Sequence, residues 1–356
     1  MKKEKGMRIG RRAVLAGAAA VALATGPAAA QEPPKPRQIV INASGGAQAA
    51  SLRQSYWADF EKQTGIKVVD TSPVDFGKLR AMVESGNIAW NITEIGGQDG
   101  YRVTQMGLAE KIDDTIVDRS KFVPAAKAMT HVFSPSSYST VIAYRTDAFP
   151  KGGPKNWADF WDVKKFPGPR SLRNHPVDNL EAALMADGVA KDKLYPLDVD
   201  RAFKKLDEIY PHISVWWTTG QQPAQMLIDK EVVLATGWNG RFYGLILEKA
   251  PLAIEWEGGI LKSGSWIVPK GAKDQYWSFK LLAMMADPER QAANAMRLGY
   301  SGTNTLSEQY VTADKKPHLP LEPTNLAKQI WLDQEWWTKN GQAMAERWNK
   351  WMLSKQ

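Results

Sequence analysis

The chain has 356 residues, no cysteine and a formal net charge of +8, so a hydrophobic core rather than disulfide bonds has to stabilise it. Six basic residues and one acidic residue fall within the first 30 positions, and the remainder has 40 Lys and Arg against 37 Asp and Glu, a net charge of +3. So small a charge, with lysines interspersed among acids as in Glu61-Lys62, argues against nucleic-acid binding.

The first 30 residues have the features of an export signal. A basic head that includes Arg11 and Arg12 precedes an apolar stretch at 13–25 and three alanines at 28–30. The apolar stretch is too short for a membrane-spanning helix, which needs about 20 predominantly apolar residues. The arginine pair is typical of a twin-arginine signal, so residues 1–30 are predicted to direct export and the mature protein to be periplasmic.

Strand and helix patterns alternate along the next part of the chain. In the first predicted helix, Leu52, Tyr56 and Phe60 recur every four residues. Such alternation predicts an α/β fold with a mainly parallel sheet covered by helices on both faces. The predicted elements are a strand at 39–43, a helix from 46 to Gly65, a strand at 66–69, a helix at 76–85 and a strand at 91–95.

Two glycine pairs follow predicted strands, Gly45-Gly46 and Gly96-Gly97. Ligands of open α/β sheets bind outside the carboxyl ends of the strands, and glycine there lets backbone N–H groups approach an anion. An ordinary tight turn is the alternative for each pair. The predicted residues at this edge of a cleft are Ser44, Gly45, Gly46 and Gly97, with Asp99 as a partner for an ammonium group.

The second part of the chain repeats the alternating plan. The hydroxyl-rich segment 134–140 and the apolar segment 141–144 are predicted to cross into a second lobe, with a return near 258–264. Two lobes joined by several crossings indicate a hinge that closes on a ligand. Lobe 1 is predicted to span 37–143 plus 263–325, and lobe 2 to span 144–262 plus 326–356. Later elements are helices at 178–186, 200–209 and 223–228 and strands at 213–217, 231–236, 252–256 and 265–268.

Residues 236–241 (Thr-Gly-Trp-Asn-Gly-Arg) and 266–272 (Trp-Ile-Val-Pro-Lys-Gly-Ala), in this order after the first Gly-Gly turn, carry a resemblance. The chain resembles the periplasmic solute-binding proteins of ABC importers, specifically the spermidine/putrescine type. The resemblance implies a two-lobed type II periplasmic binding-protein fold, no catalysis and no cofactor. It also implies a monomer that delivers a small solute to inner-membrane permease subunits.

The chain departs from the polyamine pattern at positions where the resembling family has acids. Asn239 and Arg241 follow the matched Trp238, and Gly264 stands where the second acid is expected. A guanidinium donates a forked pair of hydrogen bonds that suits a carboxylate and repels a polyamine. The favoured ligand is therefore an amino-acid-like zwitterion such as 4-aminobutyrate, with a polyamine as the variant. An outward ion pair of Arg241 with Glu255 or Glu257 remains open.

Other candidate ligand residues are aromatic or acidic. The resemblance aligns Asp178 with an acidic ligand residue, so Asp178 and Asp99 are predicted to hold an ammonium group. Trp216 and Trp217 face opposite sides of a strand, so at most one of them reaches the cleft. Core or turn roles remain open for several of these residues. The aromatic and amide candidates are Tyr138, Trp217, Trp238, Asn239, Trp266 and Tyr300.

Two other functions are alternatives for this sequence: a secreted carbohydrate-active enzyme and a ferric-ion receptor on the same fold. Fifteen tryptophans and scattered acids favour the enzyme, but the sequence contains neither a Gly-x-Ser-x-Gly elbow nor a His-Glu-x-x-His motif. A ferric site would need hard oxygen donors such as a close tyrosine pair, and no Tyr-Tyr pair occurs.

Overall fold

Ten β-strands and fourteen α-helices form the part of the chain that this computed structural model describes, residue 1 and residues 32–355. The export signal predicted at 1–30 lies outside the described residues, apart from Met1. Residues 1–34 and 35–356 form separate units, and every one of these helices and strands belongs to the second unit. Among the described helices, none has the length and apolar character needed to cross a bilayer.

The strands and helices alternate as the sequence predicts, and their bounds are as follows. The strands are β1 (Gln38–Asn42), β2 (Lys67–Thr71), β3 (Ile92–Ile95), β4 (Phe133–Arg145), β5 (Arg170–Arg173), β6 (Ile213–Trp217), β7 (Leu234–Trp238), β8 (Leu252–Ile267), β9 (Ser301–Gly302) and β10 (Ile330–Trp331). The helices are α1 (Gly46–Leu52), α2 (Ala58–Thr64), α3 (Phe76–Ser85), α4 (Gly100–Gln105), α5 (Pro124–Lys127), α6 (Trp157–Trp161), α7 (Pro176–Ala186), α8 (Val199–Ile209), α9 (Gln222–Ile228), α10 (Asn239–Leu247), α11 (Gln275–Ala286), α12 (Pro288–Leu298), α13 (Pro323–Leu326) and α14 (Gln334–Leu353).

Local sequence explains several of these bounds. The helix that starts with α1 continues through a π-helical segment at Arg53–Trp57 into α2, which ends at Gly65 in the left-handed conformation that glycine adopts at little cost. Helix α3 begins after Asp75, whose carboxylate accepts a hydrogen bond from the backbone N–H of Lys78.

Two long strands connect the two sides of the sheet. Its strand order is β2-β1-β3-β8-β4-β7-β5-β6, with β10 beside β8 and β9 beside β4. Strand β8 pairs with β3 on one side, β4 pairs with β7 on the other, and β4 and β8 are antiparallel to each other. We call the part built on β1, β2 and β3 the first lobe and the part built on β5, β6 and β7 the second lobe. The lobe bounds predicted from the sequence remain a prediction.

Strand β8 differs from the sequence expectation. The sequence predicted separate strands at 252–256 and 265–268, whereas one strand runs from Leu252 to Ile267. Its register with β4 shifts between the pairs Thr140–Ile260 and Ile142–Glu255. Gly258 lies in this irregular stretch with φ of 72°, so the segment 258–264, predicted as the return crossing, continues the strand, and Gly258 accommodates a bulge in it.

Each lobe has its own apolar core. In the first lobe, helices α1, α2 and α11 pack on β1 around buried side chains that include Ile41, Trp57 and Leu282. In the second lobe, helices α6, α7 and α8 pack around buried side chains that include Phe160 and Leu180. The carboxyl-terminal helix α14 contributes Trp337 and Trp348 to this second core, as expected for a helix that packs against the lobe rather than the ligand.

We expect Trp348→Ala to lower the free energy of unfolding by about 3–5 kcal/mol, the usual cost of truncating a buried aromatic side chain. Trp348 is 2% exposed, packs edge-on against Trp216 with ring centroids 5.6 Å apart, and donates a hydrogen bond of 2.9 Å to Asn174. Leu353→Ala, on the same helix but 67% exposed, should change stability by less than about 0.5 kcal/mol. Urea titrations of both variants check this, and equal effects would contradict the packing described.

Candidate functional site

A cleft with a cavity volume of about 410 Å³ lies where residues from both lobes meet β4 and β8. Its walls come from the ends of β1 and β3 in the first lobe, the ends of β5 and β7 in the second, and the middle of β4 and β8. Six residues predicted from the sequence line this cavity: Ser44, Asp99, Tyr138, Trp238, Trp266 and Tyr300.

One wall of the cleft is aromatic. The ring of Tyr138 lies 5.4 Å from that of Tyr300 and 6.0 Å from that of Trp238, measured between centroids. Trp217 is 1% exposed and stands behind Trp238 at 5.9 Å, so it supports this wall without lining the cavity. Burial raises the pKa of Tyr138 and of Tyr300, and both phenols are therefore neutral at physiological pH.

The acidic side of the cleft belongs to the first lobe. Glu94, which the sequence analysis did not select, accepts hydrogen bonds from the backbone N–H and the hydroxyl of Ser44 at 2.8 and 2.7 Å. Gln48 donates a third bond of 2.7 Å to its other oxygen. Burial raises the pKa of Glu94, and these hydrogen bonds act in the opposite direction. Its position near the carboxyl end of β3, just before Gly96-Gly97, is the sequence feature that could have identified Glu94 as a cleft residue.

Asp99 is a second acid on the same side. Its side chain is 17% exposed and lies 3.6 Å from the guanidinium of Arg102. Burial raises the pKa of Asp99, and the nearby charge of Arg102 lowers it by a smaller amount. The first lobe thus brings two carboxyl groups, Glu94 and Asp99, to one cavity.

The cationic side of the cleft belongs to the second lobe. Arg173 ends β5, and its guanidinium carbon lies 5.7 Å from the ring centroid of Trp217 and 5.5 Å from that of Trp238. Such stacking holds a guanidinium in place while leaving its N–H groups free to donate. Sequence reasoning missed Arg173 because it did not predict β5, which is only four residues long.

Arg241 also faces the aromatic wall, although it is not among the residues that line the cavity. Its guanidinium carbon lies 5.6 Å from the ring centroid of Trp238, and its Nε is buried without a hydrogen-bond partner among the described residues. Arg241 does not form the outward ion pair with Glu255 or Glu257 that the sequence left open. Glu257 is paired with Lys191 at 2.7 Å, and Glu255 accepts a bond from the backbone N–H of Glu257.

Asp178 is not placed as the sequence analysis expected. Its carboxylate is 3% exposed, lies outside the cavity lining and is already bound to Lys262 at 2.5 Å and to the hydroxyl of Thr140 at 2.9 Å. Burial alone would raise the pKa of Asp178, but Lys262 and Arg173 hold it below its ordinary value, so the carboxylate is ionised. A buried acid that already has an ammonium partner is not free to bind that of a ligand.

The predicted amide and glycine residues have structural contacts. Asn239 is fully buried, where its side-chain oxygen accepts from the N–H of Ser139 at 2.9 Å and its nitrogen donates to the carbonyl of Gly299 at 2.6 Å. Gly97 is packed so closely that a Cβ would lie 3.0 Å from the carbonyl oxygen of Ser263. Gly45 and Gly46 form the turn before α1 with φ of 71° and 59°. None of these four residues lines the cavity.

Glu181 is a buried carboxyl group one turn after Asp178 on α7. One of its oxygens accepts hydrogen bonds from Tyr195 and Trp337, both of 2.7 Å, and the other has no partner among the described residues. Burial, with the charge of Asp178 adding to it, raises the pKa of Glu181 to about 7.

Glu181 should make folding stability depend on pH. Because its pKa is raised, the folded state binds this proton more tightly than the unfolded chain, so its contribution is complete below about pH 4.3 and is lost as the pH rises to about 7. The variant Glu181→Gln cannot ionise, and its stability relative to the parent should rise by about 2–3 kcal/mol between pH 5 and pH 8. Denaturant titrations at both pH values check this, and a difference that does not change with pH would contradict it.

The comparisons with known proteins agree with this architecture. The chain matches the model of the bacterial extracellular solute-binding protein family over residues 55–321. It is 32% identical to the gamma-aminobutyric acid-binding protein of Pseudomonas aeruginosa, over 88% of this chain and 91% of that protein. Among the described residues, no group of three or more histidine, cysteine or carboxylate side chains is placed to hold a metal ion.

Two solved structures have the same fold. An ABC transporter substrate-binding protein from Bradyrhizobium japonicum USDA 110 is 39% identical, with a TM-score of 0.82 over 89% of this chain and 100% of that one. The GABA receptor Atu4243 is 33% identical to this chain, with a TM-score of 0.82 over 88% of this chain and 97% of that one. The prediction of a two-lobed α/β binding-protein fold is confirmed.

Proposed function

The chain belongs to the bacterial extracellular solute-binding proteins, and we propose that it captures an amino-acid-like zwitterion such as 4-aminobutyrate between its lobes. It is the solute-binding component of an ABC transporter and not an enzyme, so the secreted-enzyme alternative is wrong. We also propose, as the resemblance implies, that the captured solute is passed to the permease subunits of that transporter in the periplasm and that the protein acts as a monomer.

The observation that carries this proposal is the presence of both charge signs in one cavity, each on a different lobe. Glu94 and Asp99 come from the first lobe, and Arg173 comes from the second. A ligand with an ammonium group at one end and a carboxylate at the other satisfies both sides when the lobes close on it. In this arrangement Glu94 receives the ammonium group and the forked N–H groups of Arg173 receive the carboxylate.

The aromatic wall suits the middle of such a ligand. Tyr138 and Trp238 line the same cavity as the acidic and cationic groups, with ring centroids 6.0 Å apart. A short aliphatic chain removes apolar area from water when it packs on these rings, which contributes roughly 25 cal/mol per Å². The gamma-aminobutyric acid-binding protein and the GABA receptor to which this chain is similar take a ligand of this class.

A polyamine, the ligand implied by the spermidine/putrescine resemblance, is less well supported. Its second ammonium group would lie beside Arg173, and like charges at short range repel. Asp178, the acid that the resemblance assigned to ammonium binding, is already paired with Lys262. A ferric ion is also less well supported, because among the described residues no group of three or more histidine, cysteine or carboxylate side chains is placed to hold a metal ion.

We expect the purified chain without residues 1–30 to bind 4-aminobutyrate at least about 100-fold more tightly than putrescine, which corresponds to about 2.7 kcal/mol. Isothermal titration calorimetry with both ligands, and with iron supplied as ferric citrate, measures this preference. Putrescine or iron binding more tightly than 4-aminobutyrate would sink the proposal.

The two ends of the ligand should respond to different substitutions. Arg173→Met and Glu94→Gln should each weaken 4-aminobutyrate binding by about 30-fold or more, since removing one partner of a desolvated charge pair costs 2 kcal/mol or more. Because burial raises the pKa of Glu94, parent affinity should fall on mild acidification, and Glu94→Gln should flatten this pH profile.

Helix α3 supplies matched control variants. Arg80 and Glu84 form an ion pair of 2.6 Å with both side chains more than half exposed. Because exposed pairs contribute little, Arg80→Met and Glu84→Gln should leave affinity within about two-fold of the parent. Calorimetry in which the cleft and α3 variants lose affinity equally would show that the losses do not arise from the proposed contacts.

A further inference from the structure

Two cations, Arg173 at the end of β5 in the second lobe and Lys262 on the joining strand β8, lie beside a single carboxylate, that of Asp178. Lys262 binds Asp178 at 2.5 Å, while the nearest guanidinium nitrogen of Arg173 stays 3.7 Å from the same group. The side chains of Lys262 and Asp178 are 2% and 3% exposed, whereas that of Arg173 is 22% exposed. Both cations line the cavity, but the lysine is held by the carboxylate and the arginine is the more exposed of the two.

The positions of Lys262 and Asp178 in the fold explain why they pair with each other. Lys262 lies on β8 directly opposite Tyr138 of β4, and its ammonium also donates to the hydroxyl of Thr140 at 2.7 Å. Asp178 lies near the start of α7, where its φ of 76° and ψ of −39° are not helical. Burial of an unpaired carboxylate is costly, so this Asp178 requires a cation from one of its neighbours.

We infer that Lys262 is a positioning residue that sets ligand preference: by neutralising Asp178 it leaves the Arg173 guanidinium free for the carboxylate of a ligand. Without Lys262, the negative charge of Asp178 draws the Arg173 guanidinium away from the cavity, and the cleft wall loses one positive charge. The site then loses its anion-binding group and favours a diamine. This inference rests on the proposed function, because it assigns the residue that makes the site select zwitterions.

The test uses Lys262→Met, which replaces the ammonium group by an unbranched, uncharged side chain one atom shorter, together with the double variant Lys262→Met/Asp178→Asn. Calorimetry gives the affinity ratio between 4-aminobutyrate and putrescine for each protein. We expect Lys262→Met to lower this ratio by at least about 100-fold, by weakening the zwitterion and strengthening the diamine. The double variant, in which neither charge remains, should regain a ratio within about three-fold of the parent.

Two outcomes overturn the inference. If Lys262→Met keeps the parent ratio, the pair has no part in selectivity. If the double variant stays as poor for 4-aminobutyrate as Lys262→Met, the lysine contacts the ligand itself. Should Lys262→Met fail to fold, Lys262→Gln, which also removes the charge and can still donate a hydrogen bond to Thr140, takes its place and is judged by the same two outcomes.

A ligand-free crystal structure of Lys262→Met separates this inference from the proposed function. The nearest Arg173 nitrogen should move from 3.7 Å to about 2.8 Å from the Asp178 carboxylate, the distance of a charged hydrogen bond. An unmoved Arg173 overturns the inference even if the parent binds 4-aminobutyrate. Lys191→Met, which breaks the 2.7 Å pair with Glu257 outside the cavity, is the matched control and should leave the affinity ratio unchanged.

Discussion

The pairing of β4 with β8 is the constraint on which the rest of the structure depends. These two strands run antiparallel through the middle of the sheet, and each also pairs with a strand of one lobe. Tyr138 and Lys262 are direct partners in this pairing, so the floor of the cleft is built from the strands that join the lobes. In the proposed function, the lobes close on a ligand about these two strands, which also supply Tyr138 and Lys262 to the cavity lining.

The distribution of charge follows from this arrangement. Glu94 and Asp99 belong to the first lobe, whereas Arg173 and Arg241 belong to the second. A ligand that carries only one sign of charge satisfies one lobe and leaves the other with a desolvated group that has no partner. A zwitterion satisfies both, so its differential affinity for the closed state can shift the lobes toward closure.

The fold could be predicted from the sequence because local signals agree with one another. The helix at 76–85 and the strand at 213–217 have the predicted bounds, and Gly65 ends its helix as expected. Strand β8 was predicted in two pieces, since Gly258 and its neighbours resemble a turn when the partner strand is unknown. Strand β5 was missed because four residues carry too little periodic signal.

The candidate site could be predicted only in part. Trp238 was found because it belongs to the segment 236–241 that carries the family resemblance, and Tyr138 because it lies in the hydroxyl-rich segment 134–140 that was predicted to cross between the lobes. By contrast, nothing local indicates that Lys262 neutralises Asp178 across 84 positions of the chain, or that Glu94 is held by Ser44 and Gln48. Ion pairs between distant segments depend on tertiary structure, and they decide which charges remain for a ligand.

The most direct test is a crystal structure of the chain with 4-aminobutyrate. The account predicts its nitrogen about 2.8 Å from Glu94 and its carboxylate bound by Arg173, whereas a reversed ligand or one bound outside this cleft would contradict it.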